Sequence, residues 1–338
     1  MNRREALKIL GVLPLASYGG RLFSAPKQRK FLLVFLRGAY DAASLLVPIS
    51  SEFYYQSRPN IAIPKPRSDI ANADIKSALA LNDDWGLHPA LKESLYPLYK
   101  NGQLAFIPFS GTNDLSRSHF ETQDSIELSL PSVSYHQERS GFMNRLAASM
   151  NGTSAISFTD QLPLVFQGNF NIPNIALRQI AKAGGDARPS QIITQMYQGS
   201  RLSQPVQDGY ALRSEVMKDI GDVMVAANRN AISSKNFAIE ARRIAKLMRQ
   251  KYSLGFVDVG GWDTHVGQGG STGILANRLD DLGQGLAAYA DEMAEDWADT
   301  IVVVISEFGR TLRENGNRGT DHGHGTTYWV LGDRKSVV

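Results

Sequence analysis

The sequence predicts an α/β fold, a three-layer α/β/α sandwich around a mostly parallel sheet. Three observations predict it. Continuous apolar runs of strand length, Lys30–Leu36, Leu104–Phe109, Leu254–Val259 and Thr300–Ile305, suit strands buried on both faces. Segments with helical spacing separate them, as a parallel sheet requires. Several apolar runs stop at loops bearing carboxylates and imidazoles, the place where an open α/β sheet builds its ligand crevice.

The chain opens on Arg3-Arg4-Glu5-Ala6-Leu7-Lys8, then the apolar stretch Ile9–Ala16, then small residues and glycines. A charged start, a short apolar middle and a small-residue end describe an export signal over residues 1–25. Paired arginines in that setting suggest the twin-arginine route, and with it a periplasmic or cell-surface location. The plainer reading is an amphipathic helix that stays attached. Pro26 after Ser24-Ala25 argues against cleavage there, so the segment is cut elsewhere or kept as an anchor.

One main domain is expected over residues 30–332. After the first strand, Pro48–Asp84 is polar and proline-bearing and reads as a surface excursion. His88–Tyr99 places Leu91, Leu95 and Leu98 on one helical face, with Asn101-Gly102 as its stop. Turn and capping residues fill Ser110–Ser118 before a helix over His119–Leu128. Phe142–Met150 reads as helix, and Ala155–Phe158 and Leu164–Phe166 as short strands. Val206–Asn230 and Ser233–Tyr252 read as long helices, so residues 190–250 form a helical layer or insertion. Ile274–Trp297 is strongly amphipathic, with Leu275, Leu279, Leu282, Leu286, Tyr289 and Met293 at three- and four-residue steps. Tyr328–Leu331 begins a last strand. The chain stops soon after, so a missing C-terminal segment and an exposed sheet edge are expected.

Composition limits the function. Of 338 residues, 43% are apolar and 20% charged, with a net charge of +3. Arg3, Arg4, Lys8 and Arg21 against Glu5 account for that excess, so the remainder is near neutral and no nucleic-acid partner is expected. No apolar run is long enough to predict a transmembrane span. Cysteine is absent, which excludes disulfides, thiolate metal sites and a cysteine nucleophile.

The chemistry concentrates in five loops. They reach Asp41, Ser118-His119, Asp263-Thr264-His265, Glu307, and Asp321-His322-Gly323-His324. The first four follow predicted strands and the last precedes one. Carboxylates and imidazoles from several strand ends suit a divalent metal. Without sulfur the set favours zinc, manganese or another transition metal such as iron, and a mainly carboxylate set favours magnesium or calcium. Each residue also has a plainer reading. Asp41 would cap the next helix, Asp263 and His265 would close a local turn, and Glu307 with Arg310 would form a structural ion pair. Ser118 is either a helix N-cap or a nucleophile facing an anion at the helix N-terminus, with Ser116 as second candidate. Arg117 or Arg310 would neutralise anionic oxygens or pair with a carboxylate. His88, before Pro89 at a helix start, reads as structural, and His136 sits in a polar loop.

Four stretches together resemble the bacterial domain-of-unknown-function family 1501: Phe35–Asp41, Arg117–Asp124, Gly261–His265 and Ser306–Thr311. Asp321–Gly325 and the paired arginines fit as well. That family is grouped with the alkaline phosphatase and sulfatase superfamily, so the resemblance implies an alkaline phosphatase-like sandwich. It implies Asp41 as the first metal aspartate and Ser118 as the nucleophile. Asp263 and His265 would be part of the other metal site, with His322 or His324 as its last histidine. Glu307-Phe308 stands where the superfamily has Asp-His, which puts one metal in doubt unless His119 or His324 substitutes. The function implied is an exported metal-dependent hydrolase of phosphate or sulfate esters, acting on a small-molecule or polysaccharide substrate. The other reading is a non-catalytic exported protein that binds other exported proteins.

Overall fold

The computed structural model describes residues 29–66, 76–129, 140–150, 154–176, 188–209 and 237–333. The export segment, His136 and most of the helix expected over residues 206–230 lie outside them. The strands are β1 (Lys30–Leu36), β2 (Leu46–Pro48), β3 (Leu79–Ala80), β4 (Trp85–Leu87), β5 (Leu104–Ser110), β6 (Ala155–Ser157), β7 (Leu254–Val259), β8 (Thr300–Ser306) and β9 (Thr326–Gly332). The helices are α1 (Ala42–Leu45), α2 (Glu52–Ser57), α3 (Leu95–Lys100), α4 (His119–Leu128), α5 (Phe142–Ser149), α6 (Arg188–Met196), α7 (Phe237–Gln250) and α8 (Ile274–Met293).

The main sheet has the order β5-β9-β8-β1-β7-β6. Strands β6, β7, β1 and β8 run parallel, while β9 is antiparallel to both β8 and β5. It follows that β5 points the same way as the parallel set. Alternate residues of β1 face two separate cores. Leu32, Val34 and Leu36 join one with the buried faces of α7 and α8. Leu33 and Phe35 join the other with Met143 and Ala147 of α5, Val165 and Phe166. Two cores divided by one sheet make the three layers the apolar runs predict. All six periodic residues of α8 are buried. Helix α7 packs against α8 as part of that same layer.

Several local readings change. The helix expected over His88–Tyr99 is a 3-10 turn at Pro89–Leu91 followed by α3. Pro97 has no amide proton, so a helix can hold it only in its first turn, and α3 starts at Leu95 accordingly. Leu164–Phe166 is a 3-10 turn, not a strand, and its Val165 amide donates to Glu127 Oε2 at 2.8 Å. Helix α8 ends at Met293, before the predicted Trp297, because Ala294 takes a left-handed φ of +48°. The excursion after Pro48 carries a small antiparallel sheet, β2-β4-β3, over a satellite core of Val47, Tyr54, Ile63 and Ala78. The last strand is not an exposed edge, since β9 lies between β8 and β5.

That excursion also supplies Arg58, which is fully buried. Its Nη1 and Nη2 donate to Asp41 Oδ2 and Oδ1 at 2.5 and 2.9 Å. Ser44 Oγ and Gln268 Nε2 donate to the same carboxylate at 2.7 and 2.6 Å. Truncating Arg58 would leave a buried, unpaired carboxylate. Arg58→Ala is expected to lower unfolding stability by about 3–5 kcal/mol in urea titration, and Asp41→Asn in the same background should recover part of it.

His88 is structural, as its sequence setting indicates. Its Nδ1 accepts from the Ala90 amide at 3.1 Å, so the proton sits on Nε2, 3.1 Å from the Gly270 carbonyl. Burial pushes its pKa down to about 4, against weaker upward effects of Gly270 and Asp41. The unfolded chain therefore binds a proton more readily, and stability falls as pH drops from 6.5 towards 4. With chelator present, the stability advantage of wild type over His88→Gln should be largest at pH near 7 and shrink at pH near 4.5. Equal pH slopes in the two proteins would remove this assignment.

Candidate metal centre

Five loops meet at one edge of the sheet. Strands β1, β5, β7 and β8 deliver their carboxyl ends there, and antiparallel β9 brings its beginning to the same edge. Beyond the strands, residues 309–311 and 321–324 continue the pairing. Gly309 N donates to His324 O at 2.9 Å, Gly323 N to Gly309 O at 2.8 Å and Thr311 N to Asp321 O at 2.8 Å. A Cβ on Gly323 would stand 2.6 Å from the Arg310 carbonyl carbon, so only glycine lets these backbones touch.

Three imidazoles converge at this edge. His119 Nε2 and His265 Nε2 each lie 3.1 Å from His322 Nε2. Asp263 Oδ1 is 2.9 Å from His265 Nε2 and 3.3 Å from His322 Nε2, and its Oδ2 is 3.7 Å from His119 Nε2. Each ring is held by an oxygen at its other nitrogen. His119 Nδ1 meets Glu307 Oε1 at 2.7 Å, His265 Nδ1 meets Asp321 Oδ1 at 3.3 Å, and His322 Nδ1 meets the Arg117 carbonyl at 3.1 Å. These oxygens accept, so the Nδ1 atoms carry the protons in the neutral rings. The Nε2 lone pairs then face one another. Lone pairs at that separation repel unless a cation or proton lies between them.

The spacing fits a cation. Tetrahedral zinc with donors at about 2.0–2.1 Å has donor–donor edges of about 3.3 Å. The contacts among His119, Asp263 and His322, and those of His265 to Asp263 and His322, run from 2.9 to 3.7 Å. His119, Asp263 and His322 form the cluster whose donor atoms all fall within 4.8 Å of one another, and His265 borders it through Asp263 and His322.

Glu307 is fully buried and is not free to ligate. Its carboxylate accepts from Gly38 N at 2.8 Å, Gln123 Nε2 at 2.9 Å and Ser306 Oγ at 2.8 Å besides His119. Burial would raise its pKa, but the hydrogen bonds from His119, its own amide, Gln123 and Ser306 outweigh that and lower it. The same contact to Glu307, against the effect of burial, raises the pKa of His119. Burial and the neighbouring His119 lower the pKa of His322. For Asp263, partial burial acts upward, but the Arg310 hydrogen bond and charge, with His265 and His119, hold it low.

The sequence-predicted residues therefore separate. His119, Asp263, His265 and His322 meet. Asp41, Glu307 and Asp321 do not offer themselves as ligands. Asp41 is enclosed by Arg58, Ser44 and Gln268, Glu307 orients His119, and Asp321 orients His265 while accepting from Asn315 Nδ2 at 3.0 Å. His324 turns to Arg117 instead, accepting from its Nε and Nη2 at 3.2 and 3.1 Å. The Arg310 side chain is buried, pairing with Asp263 and Thr320, so it cannot reach an anionic substrate from this position. Ser118 caps α4, its Oγ accepting from Glu121 N at 3.5 Å. Ser116 Oγ accepts from the Ser118 amide at 3.2 Å. Sequence reading missed Arg58, Gln268, Gln123 and Asn315. Only Gln123 had a signal, since it lies four residues after His119 on one helix and both reach Glu307.

A carboxylate behind a ligating histidine fixes its orientation. Glu307→Gln is expected to weaken zinc binding about 10–100-fold by titration calorimetry with the far-ultraviolet spectrum unchanged. Unaltered affinity would deny Glu307 that role.

No curated protein matches this sequence. Among solved structures, the C-terminal periplasmic domain of EcEptC from Escherichia coli, in complex with Zn, is similar with a TM-score of 0.39 at 8% identity, over 92% of this chain and 75% of that one. Lipooligosaccharide phosphoethanolamine transferase A (EptA) from Neisseria meningitidis gives 0.40 at 8% identity, over 91% of this chain and 48% of that one. A protein in the alkaline phosphatase superfamily from Vibrio parahaemolyticus gives 0.38 at 12% identity, over 91% of this chain and 61% of that one. A family model, described as a protein of unknown function (DUF1501), matches residues 28–334. With the whole described fold inside that match, this chain belongs to the DUF1501 family.

Proposed function

We propose that this chain is an exported, divalent-metal-dependent hydrolase of phosphate or sulfate esters. The meeting of three imidazole Nε2 atoms with the Asp263 carboxylate carries this reading. Imidazole and carboxylate donors suit zinc, manganese or iron. A cation held there would supply Lewis acidity to an ester oxygen. His119, His322 and Asp263 form a single donor cluster among the described residues, bordered by His265, and Phe308 packs against the rings of His119 and His322. This supports one cation per chain.

The remaining work falls to the protein's own groups. Arg117, exposed beside His324, and the first amides of α4 would receive anionic oxygens. Ser118 is the candidate nucleophile, one residue from His119. As an N-cap its Oγ accepts a helix amide and keeps its own proton to release. The Arg310 pairing keeps Asp263 ionised and aimed at the imidazoles. Export is supported by the N-terminal Arg3-Arg4 and the apolar stretch after it. No helix among the described residues is long and apolar enough to cross a membrane.

Purified protein should carry about one zinc or manganese ion per chain, and His119→Ala or His322→Ala should abolish it. Metal-loaded protein should hydrolyse para-nitrophenyl phosphate or sulfate, and chelator should stop it. Ser118→Ala is expected to lower kcat by about a thousandfold. Hydrolysis that survives Ser118→Ala rejects the serine as nucleophile. A wild type that takes up no metal overturns the hydrolase and favours a partner-binding role.

A further inference from the structure

Beside the cation cluster the protein leaves large apolar side chains in solvent. Phe109 is 83% exposed, Leu115 75%, Phe120 83% and Val266 64%. Two adjoin histidines of the centre in sequence, and two lie near its neighbours Arg117 and His324. Phe120 follows His119 and Val266 follows His265. Leu115 comes two residues before Arg117. A Cβ on Gly325 would lie 3.7 Å from the Phe109 Cα, one residue from His324. Single exposed apolar residues are ordinary, but several that leave the chain next to one polar cluster point to a binding surface.

Phe109 adds a second observation. The pairing of β5 with β9 shifts register between Pro108 and Ser110, and Phe109 takes a φ of +58°. A bulky side chain is strained in that left-handed region. The bulge turns the ring away from the sheet, and its ring neighbour is Trp85, with centroids 6.3 Å apart. Burial within the protein therefore offsets little of the strain. Arg117 is left-handed too, with a φ of +54°. Its guanidinium meets His324 and no carboxylate among the described residues. Arg117 and these exposed apolar side chains thus leave the chain beside the cluster's residues, and one ligand with an anionic head and an apolar arm complements both.

We infer that the centre takes amphiphilic esters, whose alkyl or aryl arm lies on Phe109, Leu115, Phe120 and Val266 while the anionic group meets Arg117 and the cation cluster. The inference rests on the hydrolase reading for the anionic group and adds what that group is attached to. A strongly hydrophilic sugar ester would gain nothing from these side chains. The ligand enters as a single dissolved molecule.

The test uses the zinc-loaded full chain and two probes with the same head, methylphosphonate and hexylphosphonate, measured by titration calorimetry. Hexylphosphonate should bind at least about tenfold more tightly, with a more negative heat-capacity change. In the double variant Phe109→Ser, Phe120→Ser the ratio of the two affinities should fall towards one. Both side chains are exposed, so the fold should persist, and a melting curve checks it. Equal affinities in wild type overturn the amphiphilic substrate and leave the hydrolase reading standing. If zinc binds but neither phosphonate does, both fall together. Concentration-dependent self-association that the double variant abolishes would assign these side chains to a second copy of this chain and also overturn the proposal.

Discussion

The buried carboxylate of Glu307 ties the candidate centre together. It accepts hydrogen bonds from the loop after β1 through Gly38, from α4 through His119 and Gln123, and from the end of β8 through Ser306. A carboxylate in that surrounding stays ionised only while those donors surround it. Three otherwise separate segments are thus held in one geometry. His119 can face His322 and Asp263 because its far side is fixed by this contact. Gln123 is itself fixed by Arg37, which donates to its Oε1 at 2.8 Å, so the bracing runs on into β1.

A second polar network lies behind the cluster. Arg58 holds Asp41, Gln268 bridges Asp41 to Thr264 and Thr320, and Thr320 receives Arg310, which pairs with Asp263. Every member is buried except Asp263, which stands at the exposed end. The network fixes the carboxylate that meets the imidazoles, and it explains why two acidic residues with ligand-like settings differ. Asp41 sits among donors that satisfy both its oxygens, while Asp263 keeps an oxygen turned towards His119.

Much of this was legible in the sequence. Strands buried on both faces read as unbroken apolar runs, and α8 read from its periodicity, because those signals are local. The loops that carry the centre were identifiable from their residue types and their places at strand ends. Which members of each loop would meet was not. His322 and His324 lie two residues apart in one glycine-rich segment, and only the pairing of residues 309–311 with 321–324 decides that one joins the cluster and the other meets Arg117. Arg58 lay in a polar stretch that reads as surface, since nothing local records a partner such as Leu312 O, to which its Nε donates at 2.7 Å across the sequence. The break before α3 was readable in principle from Pro97.

The position of β9 has a consequence for how the molecule comes together. Within the main sheet β5 has β9 as its sole neighbour among the described residues, and β9 also carries the approach to His322. Until that late segment threads between β8 and β5, the edge holding β5 and the start of α4 has no hydrogen-bonded seat, and the nitrogen trio is one short. A nascent chain can therefore finish β1, β7 and β8 and still lack His322 at the candidate centre. On the proposed reading, ion capture would wait for the β9 segment to arrive.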